Sequence, residues 1–252
     1  MTPTEASKRT QRPDAGPDAG GGDSGRYVLV SGYPTYVARR LAIELVRDGD
    51  RVAMLCRQKH AEQGQVFVDE TNKAVGAVSG GRIETVVGDI LDIDIGLSGR
   101  EVSRFHEEID EIHHIAAFEY LGQSSRKMHL LNVEGLREML ELALGMKRLK
   151  RLCHWSTAFV AGDRVGVAYE HELDIGQRFH NDFERTKTEG EELARVAMAD
   201  LPVTVVRPSI VVGDSGSGEI GRFDGAYLLI NAIVNAPSHV AVPLPSAGRF
   251  PF

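Results

Sequence analysis

The stretch Tyr27-Val-Leu-Val-Ser-Gly-Tyr-Pro-Thr-Tyr-Val-Ala38 narrows the fold more than any other part of the chain. Apolar, β-prone residues from Tyr27 to Val30 run into a glycine, Gly32. A helical pattern starts at once: Val37, Leu41 and Leu45 recur every four residues beside Ala38 and Ala42, and Asp48-Gly49 ends it. A buried strand, a tight turn and a helix make the first half of a βαβ unit. The helix N-terminus aims free N–H groups and the positive end of its dipole at the turn, which suits a phosphate. The same stretch would equally serve as an ordinary βα turn, and on these residues alone both readings stand.

The pattern then repeats. Arg51–Arg57, Arg82–Ile90, Glu111–Ala117, Arg151–Thr157 and Val203–Pro208 read as further strands. Residues 58–78 read as a helix and loop, and helices are expected at Leu97–Ile109, Arg126–Met146 and Asp174–Asp200. Strands alternating with helices predict an α/β fold, a doubly wound parallel sheet covered on both faces. In such sheets ligands bind beyond the C-terminal strand ends, so chemistry-bearing residues should follow strands.

A length of 252 residues accommodates one large α/β domain, or a domain and a small lobe. With 42% hydrophobic and 26% charged residues the chain has a globular composition, and a net charge of −7 argues against nucleic acid as the main partner. The basic run Lys147–Arg151 reads as a solvated helix end. No apolar run approaches the roughly 20 residues of a membrane span, and the N-terminus lacks the apolar core of a signal peptide. Cys56 and Cys153 lie inside apolar strand-like runs, which reads as two free, buried thiols in a cytoplasmic protein rather than a disulfide or metal site. Residues 1–25, rich in Gly, Pro, Asp, Ser and Thr, read as a disordered tail.

Seven stretches occur in a familiar order and spacing over residues 27–213: Val28-Leu-Val-Ser-Gly32, Val87-Gly-Asp-Ile90, His114-Ile-Ala-Ala117, Asn132-Val-Glu-Gly135, Trp155-Ser-Thr157, the helix bearing Lys187, and Arg207-Pro-Ser-Ile-Val-Val-Gly213. On these the chain resembles the extended short-chain dehydrogenases of the epimerase/dehydratase-like group, nearest the branch of thioester reductase domains and fatty acyl-CoA reductases. The resemblance implies a Rossmann-like dinucleotide-binding domain over residues 26–214 and the start of a substrate lobe over 215–252.

It also implies a cofactor site. The family turn resembles T-G-x-x-G-x-x-G; here Gly32 keeps the first glycine, Thr35 stands at the second and Ala38 at the third, with Tyr33, Pro34, Tyr36 and Val37 between them. Thr35 brings a branched side chain to the point where glycine lets backbone approach a pyrophosphate, and Pro34 stiffens the turn. Either the site is modified but usable, or the fold persists with weakened binding. Arg57, at the end of the second strand, points to NADP rather than NAD, because a guanidinium suits the 2′-phosphate. Asp89 and Ile90 match the family's adenine-contacting pair. Ile115, Ala116 and Ala117 match small residues flanking the cofactor, and Asn132 a structural asparagine. Ser156, Lys187, Pro208, Ile210 and Val211 complete the expected cofactor contacts.

The family reaction uses Ser/Thr, Tyr and Lys, the last two four apart on one helix face. Thr157 and Lys187 hold their positions, but Phe183 stands where the tyrosine belongs, 26 residues beyond Thr157. Phenylalanine has no proton to exchange, and losing one acid–base group typically removes about 10²–10⁴ in rate. Phe179, Phe183, Gly190 and Leu193 also read as one buried helix face. The expected activity is oxidoreduction of a carbonyl, alcohol or acyl thioester with impaired catalysis; the alternatives are a non-catalytic nucleotide sensor or scaffold, and a degenerate remnant. His113 and His114 should face opposite sides of a strand, and Tyr169-Glu-His-Glu172 with His180 fits no metal-ligand spacing, so no metal is expected. Met128, Met139 and Met146 read as core filler. Phe223–Asn235 reads as the first helix of the lobe, and the apolar segment Val240–Phe252 suggests a truncated lobe, or completion by a homodimer or another partner.

Overall fold

The structure, a computed structural model, describes residues 25–117, 124–221, 223 and 226–237. The expected tail up to residue 24 and the apolar segment from residue 238 lie outside the described residues.

Six strands form one parallel sheet among the described residues: β1 (Tyr27–Val30), β2 (Arg51–Cys56), β3 (Arg82–Val87), β4 (Glu111–His114), β5 (Arg151–Trp155) and β6 (Val203–Val206), in the order β3-β2-β1-β4-β5-β6. The order reverses between β1 and β4, and that switch point opens a crevice at the C-terminal strand ends. Among the described residues the α-helices of five residues or more are α1 (Tyr36–Arg47), α2 (Ala61–Thr71), α3 (Gly99–Glu108), α4 (Ser125–His129), α5 (Gly135–Leu144), α6 (Asp182–Ala197) and α7 (Ala226–Val234). A π-helical turn, Leu130–Glu134, joins α4 to α5 and carries Asn132.

Alternate strand residues feed two cores, as the two-residue period requires. Leu29, Ala53, Ile112 and Leu152 meet Phe105, Leu136 and Met139 on one face. Val28, Val30, Val52 and Met54 meet Ala38, Ala42 and Leu45 of α1 on the other. Met128, Met139 and Met146 are buried, as expected of core filler. Cys56 and Cys153 are buried and free. None of the described helices is long and apolar enough to cross a membrane.

Several boundaries differ from the sequence reading for physical reasons. Every strand after the first ends one to three residues early, because those residues leave the ladder to shape the crevice. The helix expected from Asp174 starts at Asp182: Gly176 turns the chain at φ +86°, and Asn181 caps the helix by accepting from Glu184 N at 2.9 Å. Phe179 therefore precedes the helix and does not share a face with Phe183 and Gly190. Ser98 and Glu101 form a reciprocal capping box that starts α3 two residues later than expected.

Candidate functional site

Gly32 leaves β1 at φ +103°, and a Cβ there would sit 3.0 Å from Ala116 N, so the turn excludes any side chain on two counts. The preceding Ser31 is fully buried and ties β1 to the end of β4: its Oγ accepts from Ile115 N (3.1 Å) and Ala116 N (3.3 Å) and lies 3.2 Å from His114 Nδ1. With two backbone donors on its oxygen, Ser31 gives its own proton to Nδ1. His114 is then the neutral tautomer protonated at Nε2. Burial, and secondarily the Lys187 charge, pushes the His114 imidazole down to about 3.

Thr35 sits at φ −59°, ψ 151°, extended backbone that any residue adopts. Its N–H donates to Gly32 O at 2.9 Å, and its hydroxyl caps α1 by accepting from Ala38 N at 3.4 Å. The backbone here needs no glycine, and the threonine caps the helix. Ala38 is fully buried against the strands, close packing that a methyl group still allows. The Tyr33–Pro34 peptide is cis.

A cleft of about 320 Å³ lies at the switch point. It brings together Gly32, Tyr33, Pro34 and Thr35 from the turn, Arg57 after β2, Asp89 and Ile90 after β3, and Ala116 and Ala117 after β4, all named from sequence. Leu55, His60, Gly88 and Leu131 also line it and were missed. His60 had a signal, lying one short helical turn beyond Arg57; the others are unremarkable apolar or glycine positions. Other expected contacts are placed elsewhere. Tyr36 turns its hydroxyl to Glu219 O (2.9 Å), Val37 packs on the core, and Ile115 is buried. Asn132 is buried and donates to Thr186 Oγ1 at 2.9 Å. Ile210 and Val211 are exposed, and the Pro208 carbonyl accepts from Ala158 N at 2.9 Å.

The residues expected at the catalytic positions lie just after β5 and on α6. Lys187 is buried and donates to the Trp155 carbonyl at 2.5 Å. Phe183 is half-buried one turn before it on α6. Thr157 Oγ1 accepts from Phe159 N at 3.3 Å. Ser156 turns its hydroxyl to Glu191 Oε2 at 2.8 Å, away from the cleft. Glu191 is fully buried and also holds Arg195 (2.9 Å) and Arg207 (2.6 Å). Burial pushes its carboxyl up, but the bonds from Arg207 and Ser156 outweigh that and hold it below its ordinary value. His154 lies 6.0 Å centroid to centroid from His114, nearly parallel to it, with neither ring nitrogen hydrogen-bonded. Burial, then Lys187, pushes His154 well below its ordinary value, so two neutral imidazoles share the lysine's surroundings.

A second cavity, of about 450 Å³, is lined by Arg195 and Arg207, but both guanidiniums are engaged by Glu191 and by carbonyls of residues 170–172. His113 and His114 do face opposite ways. Glu111, His113 and Cys153 bring potential ligand atoms within 4.8 Å of one another. Yet Arg26 pairs with Glu111 at 2.7 Å, and the Trp155 indole donates to His113 Nδ1 at 3.3 Å, leaving Nε2 as the protonated nitrogen facing Glu111. That arrangement is a closed hydrogen-bond network. Glu172 and His180 point to separate partners, Arg164 and Glu184.

Comparison with known proteins agrees with this architecture. Over 210 residues the chain is 29% identical to a carboxylic acid reductase of Segniliparus rugosus, covering 74% of this chain and 18% of that protein. It is 27% identical over 184 residues to the fatty acyl-CoA reductase wat of Drosophila melanogaster, covering 63% of this chain and 36% of that one. The chain thus spans about a third or less of these curated relatives. Among solved structures, the terminal R domain from the myxalamid PKS-NRPS biosynthetic pathway superposes with a TM-score of 0.71 at 30% identity, covering 86% of this chain and 58% of that one. The family described as Male sterility protein matches residues 30–242. With its six-stranded parallel sheet and its switch-point cleft, the chain belongs to this family of Rossmann-like NAD(P)-binding reductase domains, related to thioester reductase R domains.

Proposed function

We propose that this chain binds NADP(H) in the switch-point cleft and reduces a carbonyl or acyl thioester, or oxidises an alcohol, with chemistry weakened by Phe183. The observation that carries the reading is the convergence of Gly32, Thr35, Arg57, Asp89 and Ala116 on one cleft of about 320 Å³. The residues fit a dinucleotide at its adenine and pyrophosphate end: Gly32 leaves the backbone bare, the α1 N-terminus faces the turn, and Arg57 supplies a guanidinium for the 2′-phosphate. The nicotinamide, when bound, exchanges a hydride with the substrate carbon. Lys187 and Thr157 then orient the substrate oxygen and the ribose, and the proton that a tyrosine would give comes from water or the Thr157 hydroxyl.

A second reading rests on Phe183 itself: a nucleotide-binding module that senses cofactor or holds a partner without turnover. In either reading residues 26–214 form the dinucleotide-binding domain, residues 215–252 begin a substrate lobe, and the protein acts in the cytoplasm. The test is titration with NADPH and NADH, following energy transfer from Trp155, the only tryptophan. Saturable binding, tighter for NADPH, is expected; no saturable binding to folded protein overturns both readings. Oxidation of bound NADPH by aldehydes or acyl thioesters then separates enzyme from sensor.

A further inference from the structure

The short turn after β2 gathers positive charge at one end of the cleft. Gln58–His60 form a single 3₁₀ turn, closed by His60 N–H donating to the Arg57 carbonyl at 2.8 Å. The turn returns His60 beside Arg57, so that both side chains line the cleft. His60 is half-buried, whereas Arg57 and Lys59 are exposed. It stands immediately before the eleven-residue helix α2, whose first N–H, that of Ala61, is taken by the Gln58 carbonyl, and the positive end of the helix dipole lies beside the imidazole. Its imidazole makes no capping bond to the backbone of that helix and meets only the Gln63 side chain on the helix's first turn.

We propose that His60 is a second cation for the 2′-phosphate of NADP(H), taking up a proton as the cofactor binds, so that preference for NADPH over NADH rises as pH falls. This deepens the reading above and rests on it. The charges around the imidazole set the sign. On its own segment Arg57 and Lys59 repel a proton, the Gln63 side chain hydrogen-bonds the ring and favours one, and Glu62 sits exposed in the first turn of α2. Across the cleft lie Asp89 after β3 and Tyr33 in the β1–α1 turn. Burial first, then Lys59 and Arg57, holds the free imidazole below its ordinary value, so it is neutral near pH 7. A phosphate carrying nearly two negative charges reverses that balance, because a protonated imidazole and a phosphate form a charge-assisted hydrogen bond. NADH has no 2′-phosphate and recruits no proton.

The experiment measures dissociation constants of NADPH and NADH between pH 6.5 and pH 8 for the wild type, His60→Gln and His60→Arg, with calorimetry in two buffers to count protons. The wild type is expected to bind NADPH about three- to tenfold more tightly at the acid end, with uptake of a fraction of a proton, and NADH independently of pH. His60→Gln should weaken NADPH about fivefold or more at pH 6.5, leave NADH within about twofold and abolish proton uptake. His60→Arg should restore tight NADPH binding without the pH dependence, and equal melting temperatures check that both variants fold. If wild type and His60→Gln share one NADPH profile, the inference falls while the cofactor reading stands. If the wild type binds neither dinucleotide, the reading beneath it falls as well.

Discussion

The paired imidazoles His114 and His154 make the fold acid-sensitive in a way that can be worked out. Both are buried beside Lys187, and His114 titrates at about 3 in the folded chain. An unfolded histidine titrates near about 6.5. Between these values the unfolded chain binds a proton that the native state refuses, so stability falls as pH falls. Well below that value each unit costs about 1.4 kcal/mol per imidazole, and both together lose about 3 kcal/mol on going from pH 6.5 to pH 5. That is much of a typical domain's stability of about 5–15 kcal/mol. His154 offers the cleaner probe, because neither of its ring nitrogens has a partner and its removal breaks no hydrogen bond. His154→Leu should therefore raise stability at pH 7 by about 1 kcal/mol, by sparing the burial of an unsatisfied polar ring. The gain should grow by about 1.4 kcal/mol for each pH unit below about 6.5. Urea unfolding followed by circular dichroism at pH 7, 6 and 5 measures it. Parallel wild-type and variant profiles over that range would mean that His154 titrates normally in the native state, and the reasoning would fail.

Phe183→Tyr should increase NADPH oxidation by an aldehyde or thioester by about 10²–10⁴, compared at equal cofactor occupancy; an unchanged rate with cofactor bound would refute the placement of Phe183. Gly32→Ala puts a methyl group 3.0 Å from Ala116 N at a φ of +103°, and should cost about 1–3 kcal/mol in denaturant melts together with most dinucleotide affinity. Glu191→Ala leaves Arg195 and Arg207 without their shared carboxylate and should destabilise the fold by about 3 kcal/mol. The Glu191 carboxyl is held below its ordinary value, so its stabilisation is present above the unfolded carboxylate range and vanishes as pH falls through the depressed value. The acid limb of a stability–pH curve should shrink in that variant.

The parts legible in sequence are those set by local pattern. Tyr27–Ala38 announced strand, turn and helix, and alternation along the chain gave the parallel sheet. Residues directly after strands, such as Arg57, Asp89 and Ala116, were found because the fold brings strand ends to one crevice. What was missed depends on partners remote in sequence. Ser156 looked like a cofactor contact, but its hydroxyl is taken by Glu191, 35 residues further on. The start of α6 was misplaced because helical periodicity ran on through Gly176 and Asn181, where turn and cap chemistry prevail. The role of Thr35 was hidden because a cap is a bond to a particular N–H, and composition does not show where the helix begins.

On the proposed function the two departures from the expected pattern act at different places: Thr35 lines the cleft, whereas Phe183 stands on α6 and is not part of its lining. Thr35 replaces a glycine at a position of ordinary backbone geometry and caps α1, so the turn keeps its shape and the helix N-terminus still faces the cleft. What changes there is the space beside a pyrophosphate, a matter of affinity. Phe183, one turn before a lysine bonded to the Trp155 carbonyl, carries no exchangeable proton, so on the proposed function its effect falls on the proton-transfer step. On the proposed function binding and turnover are therefore separable: a Thr35→Gly change should act on the dissociation constant alone, and Phe183→Tyr on the chemical step alone. If the two changes instead proved interdependent, the coupling would have to run through Ser31, whose Oγ meets His114 Nδ1, and the Lys187 charge that acts on that imidazole.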